Sequence, residues 1–267
     1  MRPRRAITKA KAVTCIAALN KLILINKIDL FCLPFGGGNK YAYKLYEACK
    51  QPGINLVTLE YPGRASRSLD PLCTNADQLA EDMYQQLKKQ VGKAPYALYG
   101  HSMGALMVHL VARKIVAGGE IKLPVYLFVS GCAGPSSRGR LGRKVLNRYL
   151  MPKEQLLDEV RRLEGIPPEM LQDPELVDYI EPIMRADFEV SETYVYEPGE
   201  PHNIPLMVIT GTKEPLEQAD IKAWQEETLQ PVVFKQMPGT HFFINAYPRE
   251  MMATLARAIQ TTHGLVV

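Results

Sequence analysis

Five residues, Gly100-His101-Ser102-Met103-Gly104, narrow the fold more than any other part of this 267-residue chain. They follow a short apolar run, Tyr96-Ala97-Leu98-Tyr99, and precede a longer one from Ala105 to Val116. The reading is a buried strand, a sharp turn and a buried helix. G-x-S-x-G in that setting is a nucleophile elbow: the turn strains the serine backbone and lifts its hydroxyl clear of the sheet. Glycines flank the serine because a side chain at either position would collide with the neighbouring strand or helix. The amide of Met103 then opens the helix and is placed to donate to an oxyanion.

The rest of the chain supports a sheet around that elbow. Apolar runs at Leu22 to Ile25, Leu30 to Leu33, Ile54 to Tyr61, Tyr96 to Tyr99, Val125 to Ser130, Leu206 to Thr210 and Val232 to Met237 read as strands. Helical patterns lie between them. Leu79, Met83 and Leu87 share one helix face, with Thr74 or Asn75 as its cap. Gly118-Gly119 ends the elbow helix, and Pro248 opens a last helix to Ile259. Such alternation predicts a mostly parallel central sheet with helices on both faces, and an elbow on such a sheet points to an α/β-hydrolase fold. From about Pro135 to Asp187 the alternation stops. Leu156, Leu157, Val160 and Leu163 read as one amphipathic helix, and Leu176, Tyr179, Ile180 and Ile183 as another. This is a helical insertion in the position of a lid. The expected organisation is a basic extension over 1–28, a hydrolase domain over 29–260 with its lid at about 135–187, and a tail over 261–267.

With 46% hydrophobic and 22% charged residues, the chain can bury one sizeable core. The net charge of +4 misleads. Residues 1–28 hold seven basic side chains and no acid, so the remainder carries 25 basic against 28 acidic groups. A nucleic-acid footprint is not indicated. The leader is read as a disordered or partly packed extension, with a weak export signal as the minority reading. No later segment is long and apolar enough to cross a bilayer, so no stable membrane insertion is expected. The five cysteines, Cys15, Cys32, Cys49, Cys73 and Cys132, have no metal-site spacing and read as free thiols of a cytoplasmic protein.

A serine hydroxyl needs a base, and the base needs an orienting acid. In this fold class the chain order is serine, acid, histidine. His101 lies within the elbow and His109 two helical turns beyond it. His202 precedes a strand, and His263 lies in the polar tail. His241 follows the last strand and the turn Pro238-Gly239-Thr240, as the order requires. The acid belongs after the preceding strand, where Glu214 is the first carboxylate of Gly211-Thr212-Lys213-Glu214-Pro215. Asp187 and Asp220 are its rivals. Asp220 reads as the cap of a helix through Trp224, and Asp187 as a buried structural carboxylate. The second oxyanion donor belongs on the loop after an early strand, and the amide of Gly36, in Pro34-Phe35-Gly36-Gly37-Gly38, is assigned to it.

Together these segments resemble type II thioesterases over about residues 29 to 260. The resemblance rests on Leu33-Pro34-Phe35-Gly36-Gly37-Gly38, Tyr61-Pro62-Gly63-Arg64, the elbow with Ala105, and Gly239-Thr240-His241-Phe242-Phe243. Within the insertion, Glu164-Gly165-Ile166-Pro167, Pro174-Glu175-Leu176 and Arg185-Ala186-Asp187-Phe188 match as well, as do Tyr194, Tyr196 and Trp224. The family usually places aspartate where this chain has Glu214. The resemblance implies hydrolysis of acyl or aminoacyl groups from the phosphopantetheine arm of acyl or peptidyl carrier proteins, in a nonribosomal peptide or polyketide assembly line. It calls for no metal and no cofactor. Arg138, Arg140, Arg143, Lys144, Arg148 and Lys153 point to docking of an acidic carrier domain, against the plainer reading of a solvated lid face. Two other functions compete. One is a general serine carboxylesterase. The other, if Glu214 cannot orient His241, is a non-catalytic carrier-binding module.

Overall fold

The computed structural model describes residues 27–138, 146–167 and 169–263, the side chains of Arg138 and His263 excepted. The run Leu22 to Ile25 and the basic leader up to residue 26 lie outside the described residues, as do Arg140, Arg143, Lys144 and the end of the tail. Six strands form one sheet: β1 (Ile28–Leu33), β2 (Ile54–Thr58), β3 (Tyr96–His101), β4 (Tyr126–Ser130), β5 (Leu206–Gly211) and β6 (Val233–Met237). Their order is β2-β1-β3-β4-β5-β6 and every pairing is parallel. This is the parallel sheet that the strand–helix alternation predicts.

Side chains alternate across the sheet, and each face has its own core. Phe31, Leu33, Leu98, Leu127, Val129, Leu206 and Val208 point to one side. There they meet helix α1 (Ala76–Gln90) through Leu79, Met83 and Leu87, and helix α2 (Met103–Gly118). Ile28, Leu30, Cys32, Ala97, Tyr99, Tyr126, Phe128, Met207 and Ile209 point to the other. Asn75 caps α1 by accepting from the amides of Asp77 and Gln78. Gly119, in the left-handed region at φ 60°, closes α2.

Between β4 and β5 no strand occurs among the described residues. Helices α3 (Lys153–Leu163) and α4 (Pro174–Thr193) fill that interval, and α4 continues past Asp187. They share a small core of Leu156, Leu157, Val160, Val177, Met184 and Phe188. Each such aliphatic or aromatic side chain contributes about 1.5–3 kcal/mol when fully buried. The predicted face of the second helix is corrected here: Leu176 and Tyr179 are exposed. Val177, Ile180, Met184 and Phe188 form an equally regular stripe, and packing against α3 selects that one. The last helix, α5 (Pro248–His263), packs Met251, Met252, Leu255 and Ile259 under the second face.

Asp220 does not cap a helix. It is buried inside the short helix Gln218–Lys222, whose N-cap position is Glu217. Two members of the basic stretch, Arg148 and Lys153, have described side chains, and both are matched by acids from elsewhere in the fold. Arg148 bridges Glu159 and Glu192, and Lys153 bridges Asp178 and Glu181. Their charge is partly neutralised before any partner arrives. Among the described residues, no helix is long and apolar enough to cross a membrane.

Candidate active site

The elbow has the strain that its sequence demands. Ser102 sits at φ 55°, ψ −116°, a conformation that costs a residue with a side chain on the order of 1–3 kcal/mol. Its amide donates to the carbonyl of Ser130 on the neighbouring strand at 2.8 Å. A methyl on Gly100 would stand 2.1 Å from the carbonyl oxygen of Gly104, and one on Gly104 would stand 2.3 Å from that of Leu33. Both glycines are therefore steric requirements of the turn.

Sheet order decides what meets Ser102. β1 and β3 are neighbours, with Leu33 opposite Gly100, so the Gly36 loop and the elbow emerge side by side. β5 and β6 are neighbours further along, with Gly211 opposite Met237. Their following loops carry Glu214 and His241. His241 Nε2 lies 3.0 Å from Ser102 Oγ, across 139 residues of sequence. His241 Nδ1 lies 2.6 Å from Glu214 Oε1. A carboxylate accepts, so Nδ1 carries the proton and Nε2 presents its lone pair to the serine hydroxyl.

The extra methylene of Glu214 is absorbed by a tight turn. The Glu214 amide donates to the Gly211 carbonyl at 3.3 Å, while Glu214 Oε2 accepts from the Gly211 amide at 2.6 Å. The carboxylate is thus folded back over the end of β5. Its side chain is almost wholly buried. Asp187, the rival acid, is engaged elsewhere: its oxygens accept from Arg64 Nη1 and Nη2, both at 2.7 Å, and from the Gly37 amide at 2.6 Å. This agrees with its reading as a buried structural carboxylate. A non-catalytic module requires Glu214 to be out of reach of His241, and here the two lie 2.6 Å apart.

His101 is the residue whose surroundings sequence reasoning missed. Its ring lies 4.7 Å from that of His241 and is fully buried among Phe35, Phe242 and Phe243. A hydrogen-bonded chain runs beneath it. His101 Nδ1 is 3.0 Å from Ser130 Oγ, Ser130 Oγ is 3.1 Å from Tyr99 Oη, and Tyr99 Oη is 3.3 Å from Tyr46 Oη. Tyr46 donates to the Ile244 carbonyl at 3.5 Å. A carbonyl only accepts, so full pairing orients every proton toward Ile244 and leaves Nδ1–H as the His101 donor. Among the described residues His101 Nε2 has no partner. Burial, and secondarily His241, keeps the His101 imidazole neutral far below the usual histidine range. Gly131, at φ 60°, makes room for the ring: a methyl there would stand 2.2 Å from it. The only local signal was that glycine after β4.

These buried histidines link stability to pH. Burial pulls His202, whose Nδ1 accepts from the Ile204 amide, down to about 4. An unfolded histidine protonates near pH 6.5, so below that pH the unfolded state binds the extra proton and stability falls with acidification. For His202 the loss grows between pH 6.5 and about 4, at roughly 1.4 kcal/mol per pH unit. Burial raises the Glu60 and Glu227 carboxyls and acts in the opposite sense. Denaturant titrations of wild type and His202→Gln isolate the one-proton difference. The variant is expected to lose less stability over that window, and parallel curves contradict the assignment.

Among the described residues, no cluster of three or more His, Cys, Asp or Glu side chains is arranged to hold a metal ion. Comparison with known proteins points to one family. The model of the thioesterase domain family matches residues 28–262. The gramicidin S biosynthesis protein GrsT of Aneurinibacillus migulanus is 31% identical over 235 residues, covering 88% of this chain and 90% of GrsT. The type II thioesterase BorB from the borrelidin biosynthetic cluster superposes with a TM-score of 0.77 at 32% identity, covering 87% of this chain and 93% of BorB. ClbQ from the colibactin NRPS/PKS pathway superposes at 0.82 with 27% identity, covering 90% of this chain and all of ClbQ.

Proposed function

Because the chain belongs to the thioesterase domain family, we propose that it hydrolyses acyl or aminoacyl thioesters held on the phosphopantetheine arm of carrier proteins, with Ser102 as nucleophile. One observation carries this reading: His241 spans Ser102 Oγ at 3.0 Å and Glu214 Oε1 at 2.6 Å with its two ring nitrogens. Ser102 Oγ attacks the thioester carbonyl carbon as its proton passes to His241 Nε2. The amides of Met103 and Gly36 receive the oxyanion. Collapse breaks the carbon–sulfur bond, and the departing sulfur takes the proton from His241, leaving as the free pantetheine thiol. Water then attacks the acyl-serine, His241 accepts its proton, and the same proton returns to Ser102 Oγ as the carboxylic acid departs. Glu214 holds Nδ1–H throughout and offsets the imidazolium charge.

The carrier-bound substrate is supported by what the relatives are called: GrsT serves gramicidin S biosynthesis, BorB a borrelidin cluster and ClbQ an NRPS/PKS pathway. An editing role in such an assembly line follows from the same company. The test is intact mass spectrometry of carrier domains loaded with acetyl and longer acyl groups. Wild type is expected to return the free pantetheine form, and Ser102→Ala to leave the acyl mass in place. Faster cleavage of a matched oxygen ester than of the thioester would move the reading to a general carboxylesterase.

A further inference from the structure

Two sequence motifs so far without a task meet beside the Gly36 loop. Tyr61-Pro62-Gly63-Arg64 follows β2, and Arg185-Ala186-Asp187-Phe188 lies on α4 of the lid, 123 residues from Arg64 to Asp187. Arg64 and Asp187 form a two-pronged ion pair with both side chains 2% exposed. Replacing a buried pair of this kind by apolar side chains is often neutral or stabilising, so stability alone is a weak reason for it. Its contacts supply a better one. Asp187 Oδ2 accepts from the Gly37 amide at 2.6 Å. Arg64 Nη1 donates to the Gly38 carbonyl at 3.2 Å. Tyr61, its ring under the Arg64 guanidinium, donates through Oη to the Pro34 carbonyl at 2.8 Å. The loop is gripped on both sides of the residue whose amide is assigned to the oxyanion: before it at Pro34, and after it at Gly37 and Gly38.

The lid helix also packs on that loop. Gly37 sits at φ 77°, and a methyl there would stand 2.5 Å from Met184 Sδ on α4. A methyl on Gly36 would lie 3.7 Å from Asp187 Cβ. We infer that Asp187, clamped by Arg64, is the positioning residue of the oxyanion loop: by taking the Gly37 amide it sets the direction of the Gly36 amide one residue earlier. The C-terminal half of the lid helix is then a fixed wall of the catalytic centre. The outer lid contact, Thr240 donating to Glu164 at 2.6 Å, is exposed by comparison. This inference rests on the reading of Gly36 as an oxyanion donor.

Two double variants separate positioning from mere support. R64M/D187N and R64M/D187L both lack the ion pair, and only the asparagine keeps an acceptor for the Gly37 amide. With carrier-bound acyl substrate, the leucine variant is expected to have a kcat roughly 10- to 100-fold below the asparagine variant, at similar KM and with an unchanged pH profile. Equal kcat values in two folded variants, or a loss confined to KM, overturn the proposal. Wild type supplies a second measurement that needs no variant. On forming a boronic acid adduct at Ser102, the Gly36 amide resonance is expected to shift strongly while that of Gly37 stays near its place. A large Gly37 shift with Gly36 unmoved overturns the assignment. Turnover surviving in Ser102→Ala would instead remove the serine mechanism itself, a separate failure.

Discussion

Ser102→Ala is expected to lower kcat for a carrier-bound thioester by on the order of 10⁶-fold, with His241→Ala close behind. The size follows from the geometry. In the proposed mechanism Ser102 Oγ and His241 Nε2, 3.0 Å apart, act as one proton-transfer unit, so removing either member removes the covalent route. The double variant should accordingly be no slower than the worse single one. Residual catalysis of about 10³–10⁴ over water is expected from the oxyanion amides and substrate binding alone. Single-turnover assays with an acylated carrier domain measure all three. Additive losses in the double variant would mean that the two side chains act in separate steps, against the hydrogen bond that joins them.

The next largest effect is expected at Glu214. Glu214→Gln replaces an acceptor with a group that can turn its amide toward Nδ1 and stabilise the wrong tautomer of His241. The expected fall in kcat is about 10³- to 10⁴-fold, since an orienting acid typically matters less than nucleophile or base. Glu214→Asp should retain more activity than Glu214→Gln because it keeps the charge. It should still fall below wild type, because the carboxylate reaches His241 from a turn in which it also binds the Gly211 amide at 2.6 Å. Shortening it by one methylene cannot serve both contacts without moving backbone. Steady-state kinetics of the two variants, with melting curves to confirm folding, decide the matter. Near wild-type turnover in Glu214→Gln would shift the orienting role away from this residue.

Much of this site was legible in the linear chain, for identifiable reasons. The elbow declares itself because a strained serine between two compact glycines has few other uses. His241 and Glu214 were reachable because parallel strands place their following loops at one end of the sheet, so chain order translates into position. Other features were not legible. The apolar stripe of α4 was misjudged because two stripes were equally regular and only contact with α3 chose between them. Asp220 looked like a cap because its place within a turn of helix cannot be read from residue type. Arg148 and Lys153 read as a bare basic face because Glu159, Glu192, Asp178 and Glu181 reach them only once the helices between β4 and β5 have folded.

Local sterics and the period of the apolar residues, both present in the chain before it folds, determined the parallel sheet, the elbow and the placing of Ser102 and His241 at one end of that sheet. Folding alone decided which of the rival acids meets His241, the tilted contact of the His101 ring with it, and the pairing of Arg64 with Asp187 against the Gly37 amide. Those contacts join groups from separate loops and helices, and their strength depends on burial and on angstrom-scale direction. Residue type and spacing encode neither quantity; the packed sheet and lid supply both.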